Sequence, residues 1–249
     1  MREQRRLLID PVRLGSDPLH QPFALSQGES HYLGRVLRLA AGDSFLVTDG
    51  CGQLWQACLE RSAMARLEAL LAREPVPRPR ITLLSGLVRK DQEQLLRLGT
   101  ELGCDGFQPL ICDHSRRDRG NSRLERRQLI CCEAAEQCER LWLPRLWPPR
   151  PSRQALDTAP SPGLRRFLCV ARQQRPGLAA QLAALDPPAV ETLQLALGPE
   201  GGWSRAELAF AAAAGWQFAS LGPHVLRAVT GGLTALALAQ QWRGGLLLG

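Results

Sequence analysis

TLQLALGPEGGWSRAEL, residues 192–208, is the stretch on which the fold turns. Its first six residues are uncharged and mostly apolar, the pattern of a strand covered on both faces of a sheet. Gly198, Gly201 and Gly202 then free the backbone to turn sharply and expose its amides and carbonyls. Ser204, with Glu207 three residues on, forms a capping box that starts a helix. Strand, glycine loop and capped helix together place a small ligand at the carboxyl end of a sheet. A phosphate loop fits poorly, because the Lys-Ser/Thr pair that contacts phosphate and magnesium is missing.

Downstream, QFASL (217–221) reads as another strand, stopped by Leu221-Gly222-Pro223, and an apolar helix spans 230–243. Two loops in consecutive strand–helix units are expected to converge on one ligand. Upstream, strands are expected at 81–86, 106–111 and 167–171, with helices at 91–103, 122–141, 177–185 and 204–214, so the larger part is α/β. The proline-rich PRLWPPRPSR (144–153) is expected to be irregular. No G-x-G-x-x-G follows the strand ITLLSG (81–86), which argues against a dinucleotide-binding oxidoreductase.

PVPRPR (75–80) forbids a helix and marks a connector, so residues 1–74 form a small domain and 81–249 the α/β domain. In the small domain HYLGRVLRLAAG, from Ser30, reads as a short capped helix. Strands 44–48 and 53–60 flank Asp49-Gly50, both of which tolerate the positive φ of a hairpin turn.

The chain has 249 residues, a formal charge of +7, and arginine at all but one of its 31 basic positions, the exception being Lys90. Such a balance suits a polyanionic partner such as nucleic acid. The eight cysteines include no Cys-x-x-Cys, so no metal site is expected and free thiols in a reducing cytoplasm are. No apolar run approaches the roughly 20 residues of a membrane span.

GPEGGWS (198–204) followed by LGPHVLR (221–227) resembles the paired signature of SPOUT-class methyltransferases, and within that class the 16S ribosomal RNA uridine-N3 methyltransferase family. GRVLRLAAGD (34–43), ELGCDGFQPL (101–110), HSRR (114–117) and EAAEQCER (133–140) extend the resemblance over nearly the whole chain. It implies a PUA-like β-barrel RNA-binding domain followed by a trefoil-knotted α/β SPOUT domain that binds S-adenosyl-L-methionine and works as a homodimer. The substrate it implies is 16S rRNA or the small ribosomal subunit. Three positions depart from the family pattern: Ala228 and Val229 replace the first two residues of a Thr-Glu-Thr continuation, and Leu98 stands where a lysine is usual.

On this reading the cofactor contacts are Leu197, Gly198, Pro199, Glu200, Gly201 and Gly202 in the first loop, with Leu221, Gly222, Val225 and Leu226 in the second. Arg227 is the candidate for direct function, since its charge could neutralise the cofactor carboxylate or a developing uridine anion. Arg35 and Arg38, three apart and expected on one helix face, and Arg116, Arg117 and Arg119 are the expected RNA contacts. Ala228 and Val229 keep a second reading open, a non-catalytic RNA-binding or ribosome-assembly protein that retains the fold.

Overall fold

The computed structural model describes residues 6–15, 18–61, 63–88, 91–115, 124–157 and 159–245. They divide into two compact units, one reaching Val76 and including Cys132–Leu143, the other comprising Pro77–Cys131 and the chain from Pro144 onward.

In the first unit β1 (Arg6–Leu8), β2 (Pro22–Ala24), β3 (Ser44–Thr48), β4 (Gln53–Leu59) and β5 (Met64–Arg73) form one sheet in the order β1-β3-β4-β5-β2. Only β1 runs parallel to its neighbour β3. Alternate residues of these strands, among them Phe45, Val47, Trp55, Ala57, Ala65 and Leu67, turn into one apolar core, as the period of two requires. The β3–β4 turn takes positive φ at Gly50 and Gly52. Asp49 helps in another way: its carboxylate accepts from the N–H groups of Cys51 (2.7 Å) and Gln53 (3.0 Å), an Asx turn.

The helix expected from Ser30 begins earlier. After a first short helix, α1 (Pro11–Leu14), Ser26 caps α2 (Gln27–His31) in a reciprocal box with Glu29, and a π-helical turn follows over Tyr32–Val36. Ser26-x-x-Glu29 satisfies the first amides before Ser30 is reached. Arg38 lies beyond the turn at φ 58°, so it does not share a helix face with Arg35.

Residues 132–143 belong with this first unit although they follow the second unit's strands in sequence. Polar ties explain why. Glu136 accepts from the Leu8 N–H at 2.7 Å, Arg6 pairs with Glu139, and the Gly52 and Leu143 amides bond the carbonyls of Leu141 and Gly50.

In the second unit β6 (Arg80–Gly86), β7 (Gly106–Ile111), β8 (Arg145–Leu146), β9 (Arg150–Pro151), β10 (Leu164–Cys169), β11 (Thr192–Leu197) and β12 (Gln217–Ala219) make a wholly parallel sheet. The order is β12-β10-β11-β6-β7-β8, with β9 also on β7. The segment 144–153 is therefore only partly irregular: β8 and β9 are two-residue edge strands joined by an irregular link over 147–149, and Ser152–Leu156 forms a short helix, α5. An edge position tolerates Pro151 because the outer side of an edge strand owes no ladder bond.

Helices α3 (Gln92–Glu101), α6 (Leu178–Ala183) and α8 (Ala228–Arg243) pack together over one face of the sheet. There Gly231 and Gly232 let α8 approach closely: a Cβ at either would lie 2.9 Å from Leu197 or Leu95. Opposite them, α5 and α7 (Arg205–Ala213) pack with Leu84, Leu168, Ala196 and Trp216. The part of α4 (Leu124–Gln137) up to Cys131 also belongs to this unit.

The connection leaving β10 runs through α6 on one face, while that leaving β11 runs through α7 on the other and returns as β12 beyond β10. The crevice at the carboxyl ends of β10 and β11 is thus the sheet's topological switch point, where open α/β sheets bind ligands.

Candidate functional site

At that crevice lies a cleft of about 460 Å³, within the range of small-molecule sites. Every residue of the two loops expected to contact the cofactor lines it: Leu197 to Gly202 on one side, and Leu221, Gly222, Val225 and Leu226 on the other. Eighteen residues, 203–220, separate the loops in sequence, and the pairing of β10 with both β11 and β12 brings their strands to the same end of the sheet.

The first loop is built from backbone. Gly202 takes φ 71° and its N–H donates to the Pro199 carbonyl at 2.8 Å. A Cβ at Gly198 would come within 3.2 Å of the Gly202 and Trp203 backbone, and one at Gly86 within 2.4 Å of the Pro199 nitrogen. Glycine at 86 and 198 is therefore what lets β6, the loop and its return pass this close. Ser204 and Glu207 form the expected capping box at the start of α7.

Sequence reasoning missed the third wall, Cys169 to Gln173 after β10. Two features of the structure build it. Trp203 donates its indole N–H to the Cys169 carbonyl at 3.1 Å, joining the two walls, and Arg172 has φ 59°, a left-handed value that in a non-glycine residue calls for a reason. Burial pushes the Cys169 thiol up to about 12, so this wall presents a neutral thiol at physiological pH.

Arg227 precedes α8 as its N-cap residue and lines the cleft. It is exposed, and none of the ion pairs or side-chain hydrogen bonds among the described residues uses it, which leaves its charge available to a ligand. The first turn of α8 carries no acidic residue, a consequence of Ala228 and Val229, so the positive end of this 16-residue helix is not offset by its own side chains. Val225 keeps 56% of its surface open, apolar area that an occupant of the cleft would cover.

Beneath α7 sits a second polar centre. Glu207 is fully buried and accepts from the Ser204 N–H (2.8 Å), the Asp113 N–H (3.1 Å) and the Ser152 hydroxyl (2.6 Å). Ser204 in turn donates to Asp113, and that bond, ahead of Arg153, holds the Asp113 carboxyl below its ordinary pKa. Burial and the Glu207 charge push the neighbouring Cys112 thiol up to about 12. The turn after β7 is thereby fixed to the start of α7.

The RNA-contact expectations divide. Arg35 and Arg38 are both exposed. Arg116, Arg117 and Arg119 lie outside the described residues. Of the basic residues that follow them, Arg126 pairs with Glu93 and Arg127 is buried.

Parallel sheet, glycine loop at its switch point and an arginine across the cleft define a cofactor-binding α/β protein, and its net charge of +7 suits RNA. The sequence profile of the RNA methyltransferase domain matches residues 74–240 and that of the RNA methyltransferase PUA domain residues 25–63; the chain belongs to the RNA methyltransferase family. Among its relatives is the ribosomal RNA small subunit methyltransferase E of Synechocystis, 39% identical over 236 residues, covering 93% of this chain and 76% of the relative. The protein of that name from Mycobacterium bovis is 28% identical over 242 residues, 86% of each. In three dimensions the chain resembles ribosomal RNA small subunit methyltransferase E of Neisseria gonorrhoeae, crystallised bound to S-adenosyl methionine (TM-score 0.80, 27% identity, 96% of this chain and 97% of that one).

Proposed function

We propose that the cleft binds S-adenosylmethionine and that the chain methylates N3 of a uridine in 16S ribosomal RNA. The observation that carries this is the convergence of both glycine-containing loops and Arg227 on one cleft at the switch point. The cradle fits the cofactor: position 86 has no room for a Cβ and position 198 only a tight one, and the far wall offers Leu221, Val225 and Leu226 as apolar cover. When bound, S-adenosylmethionine supplies an already activated methyl group, which leaves alignment and exclusion of water to the protein.

N3 of uridine faces its pairing partner in a duplex, so the target base is single-stranded or turned outward when it enters. Its imide proton leaves as the methyl arrives, and Arg227 stabilises the charge that develops on the base. We give the removal of that proton to none of the four histidines, although His224 lines the cleft. The same reading takes the larger domain as a trefoil knot and the working unit as a cytoplasmic homodimer. It is supported by the family membership and by the full-length likeness to the Neisseria enzyme.

Arg35 and Arg38, with Arg116, Arg117 and Arg119, hold RNA phosphates. Changing Arg35 and Arg38 together to glutamine is expected to reduce the slope of log affinity against log salt by about 1.4–1.8, the value for two lost phosphate contacts. Filter binding to a small-subunit RNA fragment at several salt concentrations measures it, and an unchanged slope removes this pair from the interface.

The function itself is tested by incubating the purified chain with S-adenosylmethionine and small subunits from cells lacking the protein, then digesting the RNA to nucleosides. One 3-methyluridine per subunit is expected. Cofactor binding without methyl transfer to any RNA would favour the non-catalytic reading that Ala228 and Val229 suggest.

A further inference from the structure

The turn after β7 carries a side chain that the mechanism does not use. His114 Nδ1 lies 3.1 Å from the Gly201 carbonyl and 3.2 Å from the Gly202 carbonyl. Both neighbours are acceptors only, so Nδ1 must carry the proton and the bond is a forked N–H donation. The two residues also touch closely, since a Cβ at Gly201 would stand 2.8 Å from the His114 Cβ.

We propose that His114 is a positioning residue for the cofactor, holding the Gly201–Gly202 turn in its binding geometry from outside the cleft. A glycine turn has no side chains of its own to pack and loses more conformational freedom on ordering than any other. Holding it beforehand removes that cost from the binding step. His114 suits the task because its own base is fixed. The Asp113 N–H donates to buried Glu207, the Asp113 carboxylate accepts from Ser204, and the Cys112 N–H donates to the Ser115 hydroxyl. Among the described residues, His114 supplies the side-chain bonds to the Gly201 and Gly202 carbonyls. Gly201 and Gly202 themselves line the cleft.

The inference rests on the cleft being the S-adenosylmethionine site, and one set of titrations separates the two claims. The full-length chain and three variants are titrated calorimetrically with S-adenosylmethionine, and KM for the cofactor and kcat are measured on small subunits. The amide nitrogen of asparagine falls where Nδ1 stands, whereas that of glutamine reaches to the place of Nε2. His114→Ala and His114→Gln are therefore expected to weaken cofactor binding about tenfold, equivalent to 1.4 kcal/mol, with the loss in KM and not in kcat. His114→Asn is expected to retain most of the wild-type affinity. Far-ultraviolet circular dichroism and Tm confirm that each variant is folded. Wild-type affinity in His114→Ala, or glutamine restoring as much as asparagine, overturns the positioning role while leaving the site intact. A wild-type chain that does not bind S-adenosylmethionine overturns the site and this role with it.

Discussion

Arg227→Ala is expected to lower kcat for methyl transfer by about 10²–10³, the usual loss when one preorganised donor to a developing charge is removed. The size follows from position. Arg227 lies at the rim of the second loop, lines the cleft and is exposed. Among the described residues no ion pair or side-chain hydrogen bond consumes its charge. For the same reason the substitution is expected to leave stability within about 0.5 kcal/mol of wild type. Stopped assays with small subunits and saturating S-adenosylmethionine give kcat, and a urea melt gives stability. A variant that turns over at the wild-type rate would remove Arg227 from the chemistry. Arg227→Lys should recover only part of the loss, since an ammonium keeps the charge and loses the planar fork.

The second large effect is structural. Glu207→Ala is expected to destabilise the chain by about 3–5 kcal/mol, because it strips a fully buried acceptor from the three donors that converge on it. The Ser204 and Asp113 amides and the Ser152 hydroxyl would all lose their partner. Glu207→Gln keeps the shape but presents an amide NH₂ to one of those donors, so it recovers only part of the stability. Urea unfolding of both variants measures this. A loss under about 1 kcal/mol for the alanine variant would mean that water replaces the carboxylate, and the link between α7 and the β7 turn would be weaker than described.

What the sequence revealed was local chemistry. TLQLAL became β11 with its expected ends, and the Ser204–Glu207 box caps α7, because strand pattern and cap are both written within a few neighbouring residues. The two loops of the cleft were legible for the same reason. Glu207 was legible as a cap but not as the buried hub for Ser152 and Asp113, which lie 55 and 94 residues away. The Cys169–Gln173 wall was missed because a strand's sequence does not say which neighbour's loop it will face. That follows from the order β12-β10-β11, a long-range property.

The misreadings share one cause, competition between local signals. Prolines at 148, 149 and 151 read as irregular chain, which holds for the link over 147–149, yet a two-residue strand at the sheet edge accepts Pro151. Ser30 looked like a cap, but Ser26 with Glu29 made the stronger one first. The three-residue spacing of Arg35 and Arg38 presumed a helix that ends before Arg38.

The most direct test of the whole account is a crystal structure of the chain grown with S-adenosylmethionine. The account predicts the cofactor between the 198–202 turn and residues 221–227, with Arg227 facing its carboxylate or the space beside its methyl group that the uridine base enters. Cofactor density on any other part of the sheet would contradict it.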